Sequence, residues 1–253
     1  MRPLLLLAGF CFAWEALVRT TGVPPFILPG PVRVAAALAN NASFLAENAL
    51  VTLLEIVLGM LVGTSLGCLA ALALSASRGA RAWLLPLVVA SQAIPIFAIA
   101  PLLVLWLGFG LASKVAAAAL VIFFPVASVF YDGLARTERG WLDLAQVMNA
   151  KPAAILWRMR LPAALPALAS GLRMAAAVAP IGAIIGEWVG AAAGLGFIML
   201  QANAQMQTDL MFAALLVLAT FAVFFYRLVD RLAHRLAPWQ PPTYSNARPG
   251  DRT

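Results

Sequence analysis

The sequence predicts an all-α polytopic membrane protein with six transmembrane helices. Of its 253 residues, 63% are hydrophobic and only 11% are charged, and the mean hydropathy is +0.93. A soluble domain is about half apolar and a quarter charged. Several apolar runs approach the roughly 20 residues that a helix needs to cross a bilayer. The runs do not alternate apolar and polar residues, so membrane strands are not expected.

The predicted spans account for most of the apolar sequence. We place the six spans at about residues 3–18, 49–76, 82–108, 115–129, 167–189 and 210–229. The chain divides into a first span with an outer interfacial segment (residues 1–48), a helical core (49–236) and a cytoplasmic tail (237–253), which we expect to be disordered past residue 241. A large polar loop, residues 132–166, lies inside the core.

The first 20 residues have a charge followed by an apolar run, as a signal peptide has, but no small-residue cleavage pattern closes the run. We therefore interpret it as a first transmembrane helix. Four prolines between residues 24 and 31 prevent a regular helix there, and residues 32–40 are predicted to form a short interfacial helix.

The second span carries a ladder of small residues. Gly59, Gly63 and Gly67 recur every fourth position and so share one helix face, which permits close packing against another helix. Glu55 lies in the same span. Charged groups at this depth are costly and usually face a bundle interior or water, so Glu55 is a candidate residue of the transport pathway.

The third span contains three prolines, which kink helices and free backbone carbonyls. With Gln92 close to Pro95, we interpret this stretch as pore-lining, while a kinked packing helix remains an equal alternative. The fourth pathway candidate is Glu187, near the outer end of the fifth span; its alternative role is to hold the outer loop by accepting backbone hydrogen bonds. The stretch 190–209 is too polar to span and predicts a short outer or re-entrant element.

The basic residues set the orientation. Six spans place both termini on one side, and cytoplasmic loops of membrane proteins are rich in Lys and Arg. If the polar loop is cytoplasmic, only Arg19, Arg33 and Lys114 of the 17 basic residues fall outside the cytoplasmic set. The net charge of +7 is thus explained without nucleic acid. A single histidine and two cysteines inside apolar runs predict no metal site and no bound cofactor.

The polar loop predicts two short helices joined by a tight turn. Residues 142–148 have helical spacing, and Asn149 tolerates the left-handed conformation that ends a helix. Pro152 suits the first position of a second helix, which we expect to stop before Leu161 because the residue preceding a proline disfavours helix. An amphipathic element lying on the inner leaflet is the alternative.

The spacing of this loop resembles the EAA loop of ATP-binding-cassette (ABC) importer permeases. That pattern is Glu-Ala-Ala, three residues, Gly, nine residues, a branched apolar residue, any residue and Leu-Pro. The chain keeps the spacing but departs from the pattern at the acid, the first alanine, the glycine and the branched residue. The resemblance assigns ATPase coupling to Asp143, Leu144, Ala145, Asn149, Ala150, Ile155, Met159, Leu161 and Pro162. We call residues 132–166 the EAA-like loop.

The resemblance extends over nearly the whole chain. Segments such as SQAIPIFAIAPLLVLWLGFG and GEWVGAAAGLGFIML are similar to nitrate, sulfonate and taurine permeases, and ANAQMQTDLMFAALLVL is more similar to proposed hydroxymethylpyrimidine permeases. It implies a type I importer (MetI-like) fold in the bacterial inner membrane with both termini cytoplasmic. It also implies a homodimeric pathway, a cytoplasmic ATPase dimer and a periplasmic or extracellular substrate-binding protein.

The sequence lacks the GxxxxGK[ST] phosphate loop, so ATP is expected to be used by a partner subunit rather than by this chain. An ATP-independent secondary transporter or channel is the main alternative, although no matching broken spans are evident in the two halves. An intramembrane enzyme would need converging acid, base or metal groups, which the sequence does not provide. A plain membrane anchor does not explain the EAA-like spacing.

Overall fold

The computed structural model describes the backbone of residues 2–239 and the side chains of residues 9–77 and 79–239, so the predicted tail disorder past residue 241 lies outside the described residues. This part of the chain contains helices and no strand, as the sequence predicts. Its helices are α1 (Arg2–Thr21), α2 (Pro31–Asn40), α3 (Ala42–Ala76), α4 (Arg78–Ala93), α5 (Ile96–Leu107), α6 (Leu111–Ala135), α7 (Arg139–Val147), α8 (Pro152–Ile155), a π-turn (Leu156–Arg160), α9 (Leu161–Gly190), α10 (Leu195–Ala204) and α11 (Thr208–His234).

Helices α3, α6 and α9 form the centre of the bundle, and small residues allow their backbones to approach closely. A Cβ added to Gly59 would lie 2.5 Å from the Cβ of Ala118, and one on Gly67 would lie 2.8 Å from the Cβ of Val126. Because both pairings advance together along the chain, α3 and α6 are parallel. The predicted packing role of the glycine ladder is confirmed, and its partner is α6.

Helix α9 packs against α6 and runs antiparallel to it. A Cβ on Gly171 would lie 3.2 Å from the carbonyl of Pro125, and one on Gly182 would lie 2.7 Å from the Cα of Ala118. The contacts thus run backwards along α6. Ala118 is fully buried between α3 and α9, so a single alanine separates three helix backbones at this level.

The span predicted over residues 82–108, with its proline kink, is a pair of helices with a sharp bend between them. Helices α4 and α5 meet at an angle of 102°. The break lies at Ile94, whose backbone is extended (φ −87°, ψ 121°), and at Pro95, which precedes α5. Proline cannot donate a backbone hydrogen bond and disfavours helix at the residue before it, which explains the bend at this position.

The prediction that the second loop helix stops before Leu161 and Pro162 is wrong. Helix α8 continues through the π-turn into α9, and the three together form one helical stretch, Pro152–Gly190, of 39 residues. Leu161 keeps helical angles (φ −62°, ψ −52°) despite preceding a proline. Pro162 is the second residue of α9, which directly follows the π-turn. The wider π-turn thus allows the chain to continue as a helix.

The predicted spans 49–76, 115–129, 167–189 and 210–229 each fall inside a longer helical stretch. Four helical stretches are long and apolar enough to span a membrane, α3, α6, Pro152–Gly190 and α11, and the bent pair α4–α5 makes a fifth if it counts as one span. The predicted first span corresponds to α1, but the side chains of residues 1–8 are not described, so its place as the sixth span stays a prediction. Helix α3 starts at Ala42, so the boundary predicted at residues 48/49 falls inside it.

Candidate functional sites at the two ends of the bundle

The EAA-like loop lies at the end of the bundle where α6 stops and α9 begins, which we call the loop end. Helix α7 closes with a left-handed residue, Asn149, at φ 52°. The N–H of Asn149 donates to the carbonyl of Gln146 at 2.9 Å, and the N–H of Ala150 donates to the carbonyl of Ala145 at 2.9 Å. This pair of hydrogen bonds is the Schellman motif, so the turn predicted at Asn149 is present. Pro152 begins α8, also as predicted.

Large apolar side chains cover the outside of this loop. Val147 is 85% exposed, Met148 73% and Trp157 59%. Exposed apolar patches of this kind mark surfaces that another molecule covers. The loop also exposes charged side chains, so the patch is amphipathic rather than uniformly apolar.

Of the predicted coupling residues, only Ala145 is buried, at 4% exposure. Asp143 and Leu144 are exposed on α7, and no salt bridge joins Asp143 to a basic group among the described side chains. The others follow the turn, and all are exposed or half-buried: Asn149, Ala150, Ile155, Met159, Leu161 and Pro162. The structure therefore brings the nine residues together in one helix–turn–helix unit.

Two of the pathway candidates lie together beside the bend between α4 and α5. Gln92 and Pro95 line a cavity of about 240 Å³ with Ser91, Val121 of α6 and Ile181 of α9. Polar groups at the α4 end of this cavity face apolar side chains of the central helices. Neither Glu55 nor Glu187 lines it.

The other two candidates belong to a buried group at the opposite end of the bundle, which we call the cluster end. It consists of Asn48, Thr52, Glu55, Lys114 and Glu187, all between 0% and 8% exposed. We call this group the carboxylate cluster. It surrounds the N-terminus of α10, just after the connector that follows α9.

The carboxylate cluster satisfies four consecutive backbone N–H groups that helix α10 leaves free at its N-terminus. Gly194 N–H donates to Asn48 Oδ1 at 2.7 Å, and Leu195 N–H donates to Thr52 Oγ1 at 2.8 Å. The next two N–H groups, of residues 196 and 197, donate to Glu187 Oε2 at 2.5 and 3.3 Å. The first N–H groups of any helix lack intrahelical partners, so a buried helix start needs acceptors of this kind.

Glu187, on α9, forms hydrogen bonds with both α3 and α10. Its other oxygen, Oε1, accepts a hydrogen bond from the Thr52 hydroxyl at 2.6 Å. A carboxylate at a helix N-terminus is also favoured by the helix dipole. The fit is close: a Cβ on Gly194, whose φ is 115°, would overlap the Glu187 carboxyl group. Glu187 thus makes the backbone contacts that its alternative role requires.

Glu55 has a different environment. Its Oε1 lies 3.8 Å from Lys114 Nζ, and neither of its carboxyl oxygens accepts a hydrogen bond in the described part of the chain. The Lys114 ammonium also donates to the carbonyl of Phe109 at 3.4 Å. Lys114 therefore links the segment between α5 and α6 to Glu55 of α3.

Sequence reasoning missed Asn48, Thr52 and Lys114. Asn48, Thr52 and Glu55 are spaced by four and three residues, which places three polar side chains on one face of an apolar helix. That spacing was a usable signal for a buried polar face. Nothing local indicated that the face meets backbone N–H groups more than 140 positions later in the chain.

Comparisons with known proteins agree with this architecture. Residues 63–238 match the family model of the binding-protein-dependent transport system inner membrane component. A probable ABC transporter permease of Haemophilus influenzae is 51% identical, covering 93% of this chain and 96% of that protein. The formylaminopyrimidine transport permease ThiX of Halalkalibacterium halodurans is 33% identical, with 95% and 96% covered. The taurine transport permease TauC of Escherichia coli is 29% identical, with 92% and 87% covered.

A solved structure shares the fold. A chain of the MetNI methionine ABC transporter, in an inward-facing conformation, superposes with a TM-score of 0.68 at 20% identity, covering 78% of this chain and 98% of that chain. These similarities do not favour the alternative of an ATP-independent transporter or channel. The chain belongs to the family of binding-protein-dependent transport system inner membrane components, and it is a multi-pass permease subunit of an ABC importer.

Proposed function

We propose that the EAA-like loop is the surface through which a separate ATPase drives this permease, and that the loop end faces the cytoplasm. The observation that carries the proposal is the exposed apolar surface around the Asn149 turn, with Val147 and Met148 at its centre. Short, rigid helices that present apolar side chains are suited to a cleft on a partner. The distribution of basic residues supports this orientation, with both termini on the cytoplasmic side.

The proposed assembly is a pair of permease chains with a pair of ATPase subunits beneath the loop ends and a substrate-binding protein above the cluster ends. ATP is bound and hydrolysed by the ATPase subunits in this proposal, and we assign no catalytic, cofactor or metal-binding residue to the permease chain. An importer of this family implies an ATPase partner and a binding protein; the pairing of two identical permease chains is the finer part of the proposal.

For the pathway we propose the cavity beside the α4–α5 bend, with Gln92 and Pro95 at its edge. A broken span supplies backbone carbonyls and a polar amide at membrane depth, which are the groups that a permeating polar solute needs. The hydrogen bonds of Glu187 support its alternative role of holding the cluster end, and Glu55 lies beside it.

As substrate we propose a small pyrimidine-type solute. The support is the similarity to the formylaminopyrimidine permease over nearly the whole chain, together with the segment 202–218, which resembles proposed hydroxymethylpyrimidine permeases. A taurine- or sulfonate-like solute is the competing outcome. Radiolabelled hydroxymethylpyrimidine and taurine, offered separately to cells with and without the gene, distinguish the two by which uptake is lost.

The docking proposal is tested by purifying the tagged chain from its native membrane in mild detergent and identifying the proteins that accompany it. We expect an ATPase with a phosphate-loop motif to be recovered. Ala145→Glu places a charge at a buried position inside the loop, so we expect ATPase recovery to be lost while the permease remains in the membrane.

The matched control is Ala76→Glu, the same substitution at an exposed position at the end of α3, outside the EAA-like loop. It should leave ATPase recovery unchanged. A permease that carries Ala145→Glu and still recovers its ATPase would contradict docking through this loop, and would favour a loop that lies on the inner leaflet.

A further inference from the structure

We infer that Glu187 is a positioning residue that transmits ATPase-driven movement of α9 to the connector and the start of α10 at the outer face. The inference rests on the proposed function, because it takes the loop end as the ATPase side. It assigns the carboxylate cluster a role in coupling rather than in contact with the transported solute.

One continuous helix links the two sites. The stretch Pro152–Gly190 begins three residues after the Asn149 turn and carries Glu187 near its other end. At 1.5 Å per residue, its 39 residues span about 58 Å. Rigid secondary elements carry displacement between distant sites. Helix α7 has no such direct connection to α6, since the segment 136–138 separates the two helices.

The hydrogen bonds at the cluster end couple the connector between α9 and α10 to any movement of α9. The backbone N–H groups of residues 196 and 197 are both held by Glu187 Oε2. If α9 moved without them, the two N–H groups at the covered start of α10 would lose their acceptor, which costs free energy. Helix α3 holds the two preceding N–H groups through Asn48 and Thr52, so α3 and α9 move the start of α10 jointly.

A solute-binding role for Glu187 does not fit the same geometry. Its side chain is 1% exposed, and both of its oxygens already accept hydrogen bonds from the protein. A solute would have to displace a hydroxyl or a backbone N–H to reach it. Those contacts are what a mechanical tether needs.

The test follows movement at the outer face without requiring the substrate. The permease and its co-purified ATPase are placed in nanodiscs, with Cys11→Ala and Cys68→Ala as background and Ala192→Cys as a reporter on the exposed connector. The reaction of the new thiol with a membrane-impermeant maleimide is measured without nucleotide and with ATP and vanadate. We expect the rate to change at least about threefold between the two states.

Substitutions in the cluster should abolish this response. In Glu187→Gln, the amide nitrogen cannot accept a hydrogen bond, and we expect the ratio of the two rates to fall to about one while ATP hydrolysis continues. Thr52→Val removes the hydroxyl from α3 and should act alike, which keeps the test decisive if Glu187→Gln does not fold. Thr52→Ser retains the hydroxyl and should restore the response. Glu47→Gln, an exposed change of the same charge on α3, is the matched control.

The outcomes separate the two proposals. If the complex contains no ATPase, the proposed function fails. If the ATPase is present and active but the parent thiol shows no nucleotide response, or if the response persists in both Glu187→Gln and Thr52→Val, the coupling role of Glu187 is overturned.

Discussion

The two ends of this helix bundle differ in which side chains they expose: one exposes large apolar side chains, and the other buries charged ones. At the loop end, side chains as large as Trp157 and Val147 are exposed at 59% and 85%. At the cluster end, two carboxyl groups and a lysine are almost wholly covered, and four backbone N–H groups find acceptors within the chain. The comparison teaches that the start of α10 finds its hydrogen-bond acceptors within the chain, whereas the loop end exposes apolar side chains that we propose a partner covers.

The largest expected effect comes from removing the hydrogen-bond acceptor at the cluster end. Glu187→Ala removes the carboxyl group that accepts hydrogen bonds from the Thr52 hydroxyl and from the N–H groups of residues 196 and 197. We expect the free energy of unfolding of the isolated chain to fall by about 3 kcal/mol. Thermal unfolding in detergent measures this loss. Glu47→Ala, which removes an exposed carboxylate from α3, should change stability by less than about 0.5 kcal/mol. Equal effects of the two substitutions would remove the distinction drawn for the cluster end.

An intermediate effect is expected at the loop end, and only when the ATPase is present. Trp157→Ala removes an exposed aromatic side chain, so the stability of the isolated chain should change by less than about 0.5 kcal/mol. Its affinity for the ATPase should fall by about 2 kcal/mol, roughly 30-fold in Kd, as for aromatic anchors of interfaces.

Titration of the purified ATPase onto immobilised permease gives that affinity. Trp83→Ala is the control, since Trp83 is 81% exposed but lies on α4, outside the EAA-like loop. A loss of affinity that is the same for both tryptophans would place the docking surface elsewhere.

The smallest effect is expected at the turn itself. Asn149→Gly keeps the left-handed conformation available and should change stability by less than about 1 kcal/mol, whereas Asn149→Val should cost about 1–2 kcal/mol locally. Protease cleavage within the EAA-like loop reports its local opening. Cleavage should be faster in Asn149→Val than in the parent chain and unchanged in Asn149→Gly. Acceleration by both would mean that the asparagine side chain, rather than its backbone conformation, holds the turn.

Local chemistry was enough to predict several features. The left-handed Asn149 and the start of a helix at Pro152 depend on backbone preferences that act within a few residues. The glycine ladder at Gly59, Gly63 and Gly67 also revealed a packing face from spacing alone, although not its partner.

The features that were missed depend on tertiary context. Pro162 predicted a helix end, but the neighbouring π-turn absorbs it and the helix continues. Pro95 predicted a kink within one span, and the structure has a bend of 102° between two helices. The acceptors for the start of α10 come from residues far away in the chain, which periodicity within one helix does not reveal.

The helical stretch from Pro152 to Gly190 constrains the length of the chain as well as its shape. Each residue inserted into an α-helix turns everything beyond it by about 100° and advances it by about 1.5 Å. A single insertion between residues 163 and 186 would therefore point either Glu187 or the Trp157 face away from its partner. Insertion before α7 would turn neither end relative to the other. Among relatives, changes in chain length should be absent from this helix and tolerated near residues 136–138.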